Sequence, residues 1–223
     1  MPPVTRNQLK SDMGTPKTPS SKSPSDYKRS SATAKFLSRV DPTTKLTFFQ
    51  IATIGTAVGI ALFASISYLF LTGKVTLHGK ATASALSSLT GKLEFVLKFQ
   101  TLNVFWLLMM VALTGFRRVA TGALNPLDGN EHAVAAQKQI LQNSLEQFVL
   151  HLVNQSILTT NLAPDLLIRV IPMTNVLFIT GRVMFWLGYP KYRTCGFLLN
   201  IFTNIAQTGY NLISFFRFFG VPI

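Results

Sequence analysis

Glu146 and Arg182 are the two side chains whose type and setting raise a chemical question. Glu146 stands about two turns inside an apolar segment, three residues after Asn143. The other seven carboxylates, Asp12, Asp26, Asp41, Glu94, Asp128, Glu131 and Asp165, lie in polar stretches or near the ends of apolar runs. A carboxylate in mid-membrane costs roughly 2.5–3.5 kcal/mol on insertion scales, so it faces a partner or a wet cavity. Arg182 lies in the next apolar segment. Both fall toward the same end of two antiparallel helices joined by the short turn "NLAP". The spacing predicts an ion pair between them. Such a pair either fixes helix register or forms one wall of a ligand pocket. The surplus of polar groups nearby favours the pocket.

That surplus is ordered. On the third apolar segment Gln139, Gln142, Asn143, Glu146 and Asn154 share about one third of a helical circumference. On the fourth, Asn175, Arg182 and Tyr189 recur every seven residues, and on the fifth Asn200, Asn204, Gln207 and Asn211 form another stripe. Polar side chains in a bilayer point toward other helices, where they find hydrogen bonds that lipid does not offer.

The elements that carry these stripes follow from composition. With 223 residues, 48% hydrophobic and 13% charged, the chain is too apolar for an ordinary soluble domain. Its net charge of +13 points first to nucleic acid. Position excludes that partner: nine of the 21 Lys and Arg precede residue 46, and most of the others flank apolar runs. This is the positive-inside pattern of a membrane protein. The single cysteine, Cys195, forbids an intrachain disulfide and reads as a small apolar residue at a helix start, since no base stands near it in sequence. No metal is expected.

Residues 1–44 form a basic Ser/Thr/Pro-rich tail with too little apolar surface to fold, expected to be disordered and cytosolic. It is no signal peptide, and Thr15-Pro16, Thr18-Pro19 and Ser23-Pro24 are candidate proline-directed phosphorylation sites. Asp41 and Pro42 suit an N-cap and first turn. Five spans are expected at about 46–72, 93–116, 138–160, 164–188 and 195–219, each near the ~20 residues a bilayer requires. The first, within 45–72, holds Gly55-x-x-x-Gly59, a close-packing face. The cation excess before it predicts a cytosolic N-terminus, cytosolic loops at 117–137 and 189–194, and a lumenal or outer C-terminus. The Asn154-Gln-Ser156 sequon then lies inside a span, out of reach of glycosylation.

Two stretches carry a family resemblance. "FRRVATGALNPLDGNEHAVAAQKQILQNSLEQFVLHL" has a basic pair ending one helix, a polar loop, then Asn-x-x-Glu opening the next. "GRVMFWLGYPKYRTCGF" has Arg-x-x-aromatic-x-x-Gly-Tyr, a basic hairpin and a Gly-led final helix. In order and spacing they resemble the MAPEG superfamily, membrane proteins of eicosanoid and glutathione metabolism, over roughly residues 93–219. The added first span and the second motif look most like its mattrin branch, a membrane protein of the secretory and lysosomal system. The resemblance implies an all-α fold, a four-helix transmembrane bundle plus one extra N-terminal helix, assembled in the bilayer as a homotrimer. It implies glutathione between subunits near the cytosolic face, held by Asn143 and Glu146, with Arg182 and Tyr189 at matching family positions. Arg193 stands for the catalytic arginine that would stabilise the thiolate.

Departures weaken the transferase reading. Gln139 stands where transferases often carry Arg, and Gln147 and Phe185 stand where the leukotriene-synthase type carries Tyr. Each charge-assisted hydrogen bond lost is worth about 1.5–3 kcal/mol. The expectation is therefore a non-catalytic or weakly active protein of the Golgi, lysosome or endoplasmic reticulum, acting in trafficking or turnover of membrane-protein cargo. The alternative is a glutathione-dependent transferase or peroxidase with a lipophilic substrate. A channel or transporter has less support, since the spans show no inverted repeat and no acidic ring.

Overall fold

A computed structural model describes residues 42–77, 79, 84–124 and 130–221, with side chains from Phe49 onward. The chain divides into a unit ending at Thr47 and a unit from Phe48 to Ile223, and the second is the subject here. The tail, its Ser/Thr-Pro pairs and the Asp41 cap lie outside the described residues.

Five long helices follow in order: α1 Pro42–Leu71, α2 Leu89–Thr121, α3 Ala135–Asn161, α4 Pro164–Gly188 and α5 Thr194–Phe218. Short 3-10 turns, Ala85–Ser87 and Asn130–Val134, precede α2 and α3. The described part is an all-α membrane protein. Its helix ends have local causes. Ser88 caps α2 by accepting from the Gly91 amide at 3.1 Å, which satisfies one of the orphan N–H groups of the first turn. Gly122 closes α2 at φ 67°, a left-handed conformation suited to glycine. Pro164 opens α4, where its missing N–H costs nothing.

Three helical stretches are long and apolar enough to cross a membrane: Phe49–Leu71, Leu89–Thr121 and Pro164–Gly188. The five spans expected from sequence all fall on helices, but α3 and α5 are not apolar enough alone. Their length suffices, at 27 and 25 residues. Their inward faces are the reason. Ser144, Gln147, His151, Asn154, Gln155 and Thr159 are buried on α3, and Asn200, Thr203, Asn204, Gln207 and Asn211 on α5.

The core is apolar at its two ends and polar between them. Toward the α3–α4 turn, Phe95 and Val96 pack with Leu158, Leu162, Leu167 and Ile171. Toward the α4–α5 turn, Met110, Ile140 and Phe185 pack together. Between these clusters, Asn103 donates to Gln100 Oε1 at 2.9 Å and to Asn175 Oδ1 at 2.6 Å. Gln155 accepts from Gln100 and from Asn175, the latter at 3.2 Å, and donates to Thr174 Oγ1 at 2.7 Å. α2, α3 and α4 are thereby tied by one amide network. A second set ties α3 to α5: Asn204 donates to Gln147 Oε1 at 2.9 Å, and Asn211 to the Asn154 carbonyl at 3.1 Å. With lipid outside, such bonds replace hydrophobic burial as the directional contribution to helix association, at about 0.6 kcal/mol each on average.

α4 and α5 approach most closely at two glycines. A Cβ on Gly196 would lie 2.2 Å from the Phe185 amide nitrogen, and one on Gly181 would lie 1.9 Å from Asn200 Nδ2. The expected Gly55/Gly59 face is realised: Cβ atoms there would sit 3.3 Å from Thr194 Cβ and from the Cys195 carbonyl oxygen. Farther along α1, Leu62, Phe63, Ile66 and Phe70 pack against Met173, Leu177 and Leu199. The extra helix is therefore packed on α4 and α5.

Candidate functional site

The site residues lie around the α4–α5 turn end of the bundle. Arg182 comes from the inward face of α4 and is only 1% exposed. Its Nη1 donates to Asn143 Oδ1 at 2.8 Å. Aromatic rings complete the environment, with the guanidinium carbon 5.1 Å from the centroid of Phe185 and 5.9 Å from that of Phe178. Its Nε and Nη2 have no hydrogen-bond partner, and no carboxylate pairs with it among the described residues.

This corrects the expected ion pair. Glu146 is exposed on the chain and accepts from Gln142 Nε2 at 2.9 Å instead. The cause is helical phase. The buried stripe of α3 runs through Ile140, Ser144, Gln147, His151, Gln155 and Leu158, one residue ahead of the expected stripe of Gln139, Gln142, Asn143 and Glu146. One residue is about 100° on a 3.6-residue helix, enough to carry a side chain from the inside to the rim. Gln139, Gln142 and Glu146 are exposed, Asn143 is half-buried, and only Asn154 of the expected set is buried. The stripes on α4 and α5 fare better: Asn175, Arg182, Asn200, Asn204, Gln207 and Asn211 are all buried.

Tyr189 follows α4 as its C-terminal cap and is half-buried, with its ring centroid 5.9 Å from that of Phe185. Arg193, at the N-cap of α5, is exposed, and its guanidinium lies 5.6 Å from the Tyr189 ring centroid. Arg182, Asn143, Phe185, Tyr189 and Arg193 are thus linked by successive contacts. Gln139 stands apart from this chain of contacts. It lines a separate surface hollow with Glu131, His132, Ala135, Lys138 and Gln142. Glu131 there accepts from Arg118 at 2.8 Å and from Lys138 at 2.6 Å. The hydrogen bond from Lys138, and then that from Arg118, hold the Glu131 carboxyl below the usual carboxylate range.

The linked residues gather positive charge at this end of the bundle. They supply a buried cation with two free nitrogens, an amide and an exposed second guanidinium. Among the described residues no group of three or more His, Cys, Asp or Glu could hold a metal ion. Reading by polar stripe missed Gln100, Asn103, Gln147, His151 and Gln155, all buried. Their signal was present: Gln100 and Asn103 are three apart in an otherwise apolar run, and Gln147, His151 and Gln155 are four apart.

Comparison with known proteins places the chain near one membrane protein. Over 137 residues, 60% of this chain, it is 24% identical to Transmembrane protein 79 of Mus musculus and 23% identical to that of Bos taurus. The chain spans about a third of the length of these curated relatives, the aligned part being 35% and 34% of them. No protein-family model matches it, and no solved structure does.

Proposed function

We propose that this multi-pass membrane protein has the MAPEG-like trimeric build, binds a glutathione-type anion at Arg182, and is non-catalytic or weakly active. Its role is in trafficking or turnover of membrane cargo in the secretory and lysosomal system. One observation carries the binding site: a fully buried arginine with no carboxylate partner and two unpartnered nitrogens. A buried charge without compensation is strongly destabilising, so an anion from outside the chain completes the site. The weak-activity reading rests on what surrounds it. Phe185, an apolar ring, lies against the guanidinium in place of a hydroxyl, and Gln139 is an exposed, uncharged amide. The cargo role rests on the likeness to Transmembrane protein 79 alone.

Calorimetry of reduced glutathione with the purified full chain tests the site. Saturable binding that is abolished in Arg182→Met is expected. Absence of binding to a chain that assembles normally would sink the proposal. Binding accompanied by turnover of an electrophilic lipid would move the balance to the transferase, with Arg193 as the thiolate-holding residue.

The trimer has its own support. Glu146 is exposed on α3 beside the exposed Leu145, Val149 and Leu150. A carboxylate on such a face is stable in a bilayer only when another protein surface covers it. Mass measurement in a mild detergent should give three copies; a monomer alone contradicts it. The cytosolic N-terminus is tested by protease treatment of sealed vesicles, where a tag at residue 1 should be cut from the cytosolic side.

A further inference from the structure

A groove of about 470 Å³ runs along the outside of the bundle, where α1 passes the end of α4 and the start of α5. Ile54 and Val58 of α1 and Met184 and Leu187 of α4 form its walls, and Gly55 and Gly188 leave room at its floor. Ile54 and Leu187 are 64% and 70% exposed, so the groove opens outward and not into the bundle. It follows α1 from Ile51 to Val58, about 10 Å at ~1.5 Å per residue. One end is marked by Tyr192, in the turn between α4 and α5. Tyr192 is exposed, and so are its two neighbours, Lys191 and Arg193. Neither cation has a carboxylate partner among the described residues. Adjacent Cα atoms are ~3.8 Å apart. The long stems of Lys and Arg therefore bring both charges within reach of a group at the Tyr192 end of the groove.

We propose that the groove holds one acyl chain of an acidic phospholipid, whose anionic headgroup sits at Lys191 and Arg193. Position and charge select this occupant together. The stretch Pro164–Gly188 is apolar enough to cross a membrane, so the turn that follows it lies at headgroup level. From there the groove descends beside Leu187 and Met184 into one leaflet. A leaflet's hydrocarbon is about 15 Å deep, half of the ~30 Å core, so the groove can follow a chain for most of that depth. The two unpaired cations favour a net negative headgroup over a zwitterionic one. A sterol hydroxyl, being neutral, gains nothing from them. The chain's own tail is excluded as occupant, because its nine cations would be repelled. A second copy would bring the same two cations against themselves.

The test uses the full chain in phosphatidylcholine vesicles with a phosphatidylserine whose acyl chain carries a photoreactive diazirine. Labelling should saturate and map to residues 51–58 and 184–192. A phosphatidylcholine with the same diazirine should label these residues about fivefold less for each cation engaged. Lys191→Gln should reduce that preference about fivefold, and Lys191→Gln combined with Arg193→Gln should remove it. Ile54→Trp fills the groove from an exposed position and should abolish saturable labelling. Inorganic phosphate should not compete, because it has no chain to bury. Equal labelling by the two lipids, or a preference that survives the double substitution, overturns the proposal. Undiminished labelling of Ile54→Trp does the same. Competition by phosphate equal to that by unlabelled phosphatidylserine overturns the lipid assignment.

Discussion

Arg182 shows how far a single charge can be carried into a bundle by dipoles and rings alone. Its one polar contact to a side chain is the Asn143 amide, and two aromatic faces supply the rest. In ligand-free protein, removing the charge should therefore cost little. Replacing buried ionic groups by apolar residues of similar volume is often neutral or stabilising. Arg182→Met is expected to melt at or above the parent temperature in detergent. Asn143→Ala keeps the charge and removes its side-chain acceptor, leaving only the longer contact to the residue 143 carbonyl at 3.4 Å, and should lower stability by about 1.5–3 kcal/mol, the range for a hydrogen bond to a charged group. Glu146→Gln should change the chain's own stability by less than about 0.5 kcal/mol, as for most surface substitutions. If Arg182→Met proves the least stable of the three, an undetected counter-charge is present. At this scale the sequence was legible only where one stripe was polar. α5 has a single polar stripe, and Asn200, Asn204, Gln207 and Asn211 are all buried as expected. α3 is polar on two adjacent stripes, so periodicity could not choose between Glu146 and Gln147. The contact that decides is the reach of Arg182 across to Asn143, and no spacing within one helix records it.

At the scale of elements, the helix contacts are set by glycine as much as by amides. Gly181 and Gly196 let α4 and α5 touch backbone to side chain and backbone to backbone, respectively. A methyl group at Gly196 meets the Phe185 amide nitrogen, which cannot move without moving α4. At Gly181 it meets chiefly the side chain of Asn200, which would have to give up its bond to the Gly196 carbonyl to move, while the nearest backbone atom is 3.0 Å away. Gly196→Ala should therefore be the more damaging, at the upper end of the ~1–3 kcal/mol typical of overpacking or beyond it. Gly55→Ala, with nothing closer than 3.3 Å, should be the mildest. Thermal unfolding of the three variants tests the order. The Gly55-x-x-x-Gly59 motif was visible in the sequence because both glycines lie on one helix. The Gly181–Gly196 contact was not, because its partners belong to different helices and neither repeats. Charge acts at the loop. Glu131 joins Arg118, at the end of α2, to Lys138, in the first turns of α3. Its carboxyl is held below the ordinary range, so the folded state binds this proton less readily than the unfolded chain. The contribution is complete above the unfolded-state value and is lost as pH falls through the lower folded-state value. Melting temperature should thus fall as the pH drops below about 5 in the parent. In Glu131→Gln that part of the fall should be missing; an unchanged profile would assign the acid sensitivity elsewhere.

For the whole molecule, the segment count was legible and the hydropathy was not evenly shared. All five expected segments are helices, yet only three stretches are apolar enough to cross a membrane on their own. The middle of the bundle is an amide-filled layer between two apolar ends, the reverse of a soluble core. That layering has a consequence for biogenesis. A translocon judges each segment as it emerges, and α5 then presents Asn204, Gln207 and Asn211 without their partners on another helix. Those partners, Gln147, His151 and Asn154, belong to α3, which is no more apolar. Entry of the two amide-rich helices must therefore wait on their neighbours, with α4 and its glycine contact delivering α5 as a hairpin. In a glycosylation-reporter insertion assay, α5 alone should remain largely outside the bilayer, while α3–α4–α5 expressed together should place it inside. Efficient insertion of α5 by itself would mean that its polar stripe is tolerated by lipid. The order in which this protein is made would then be decoupled from the order in which its hydrogen bonds can form.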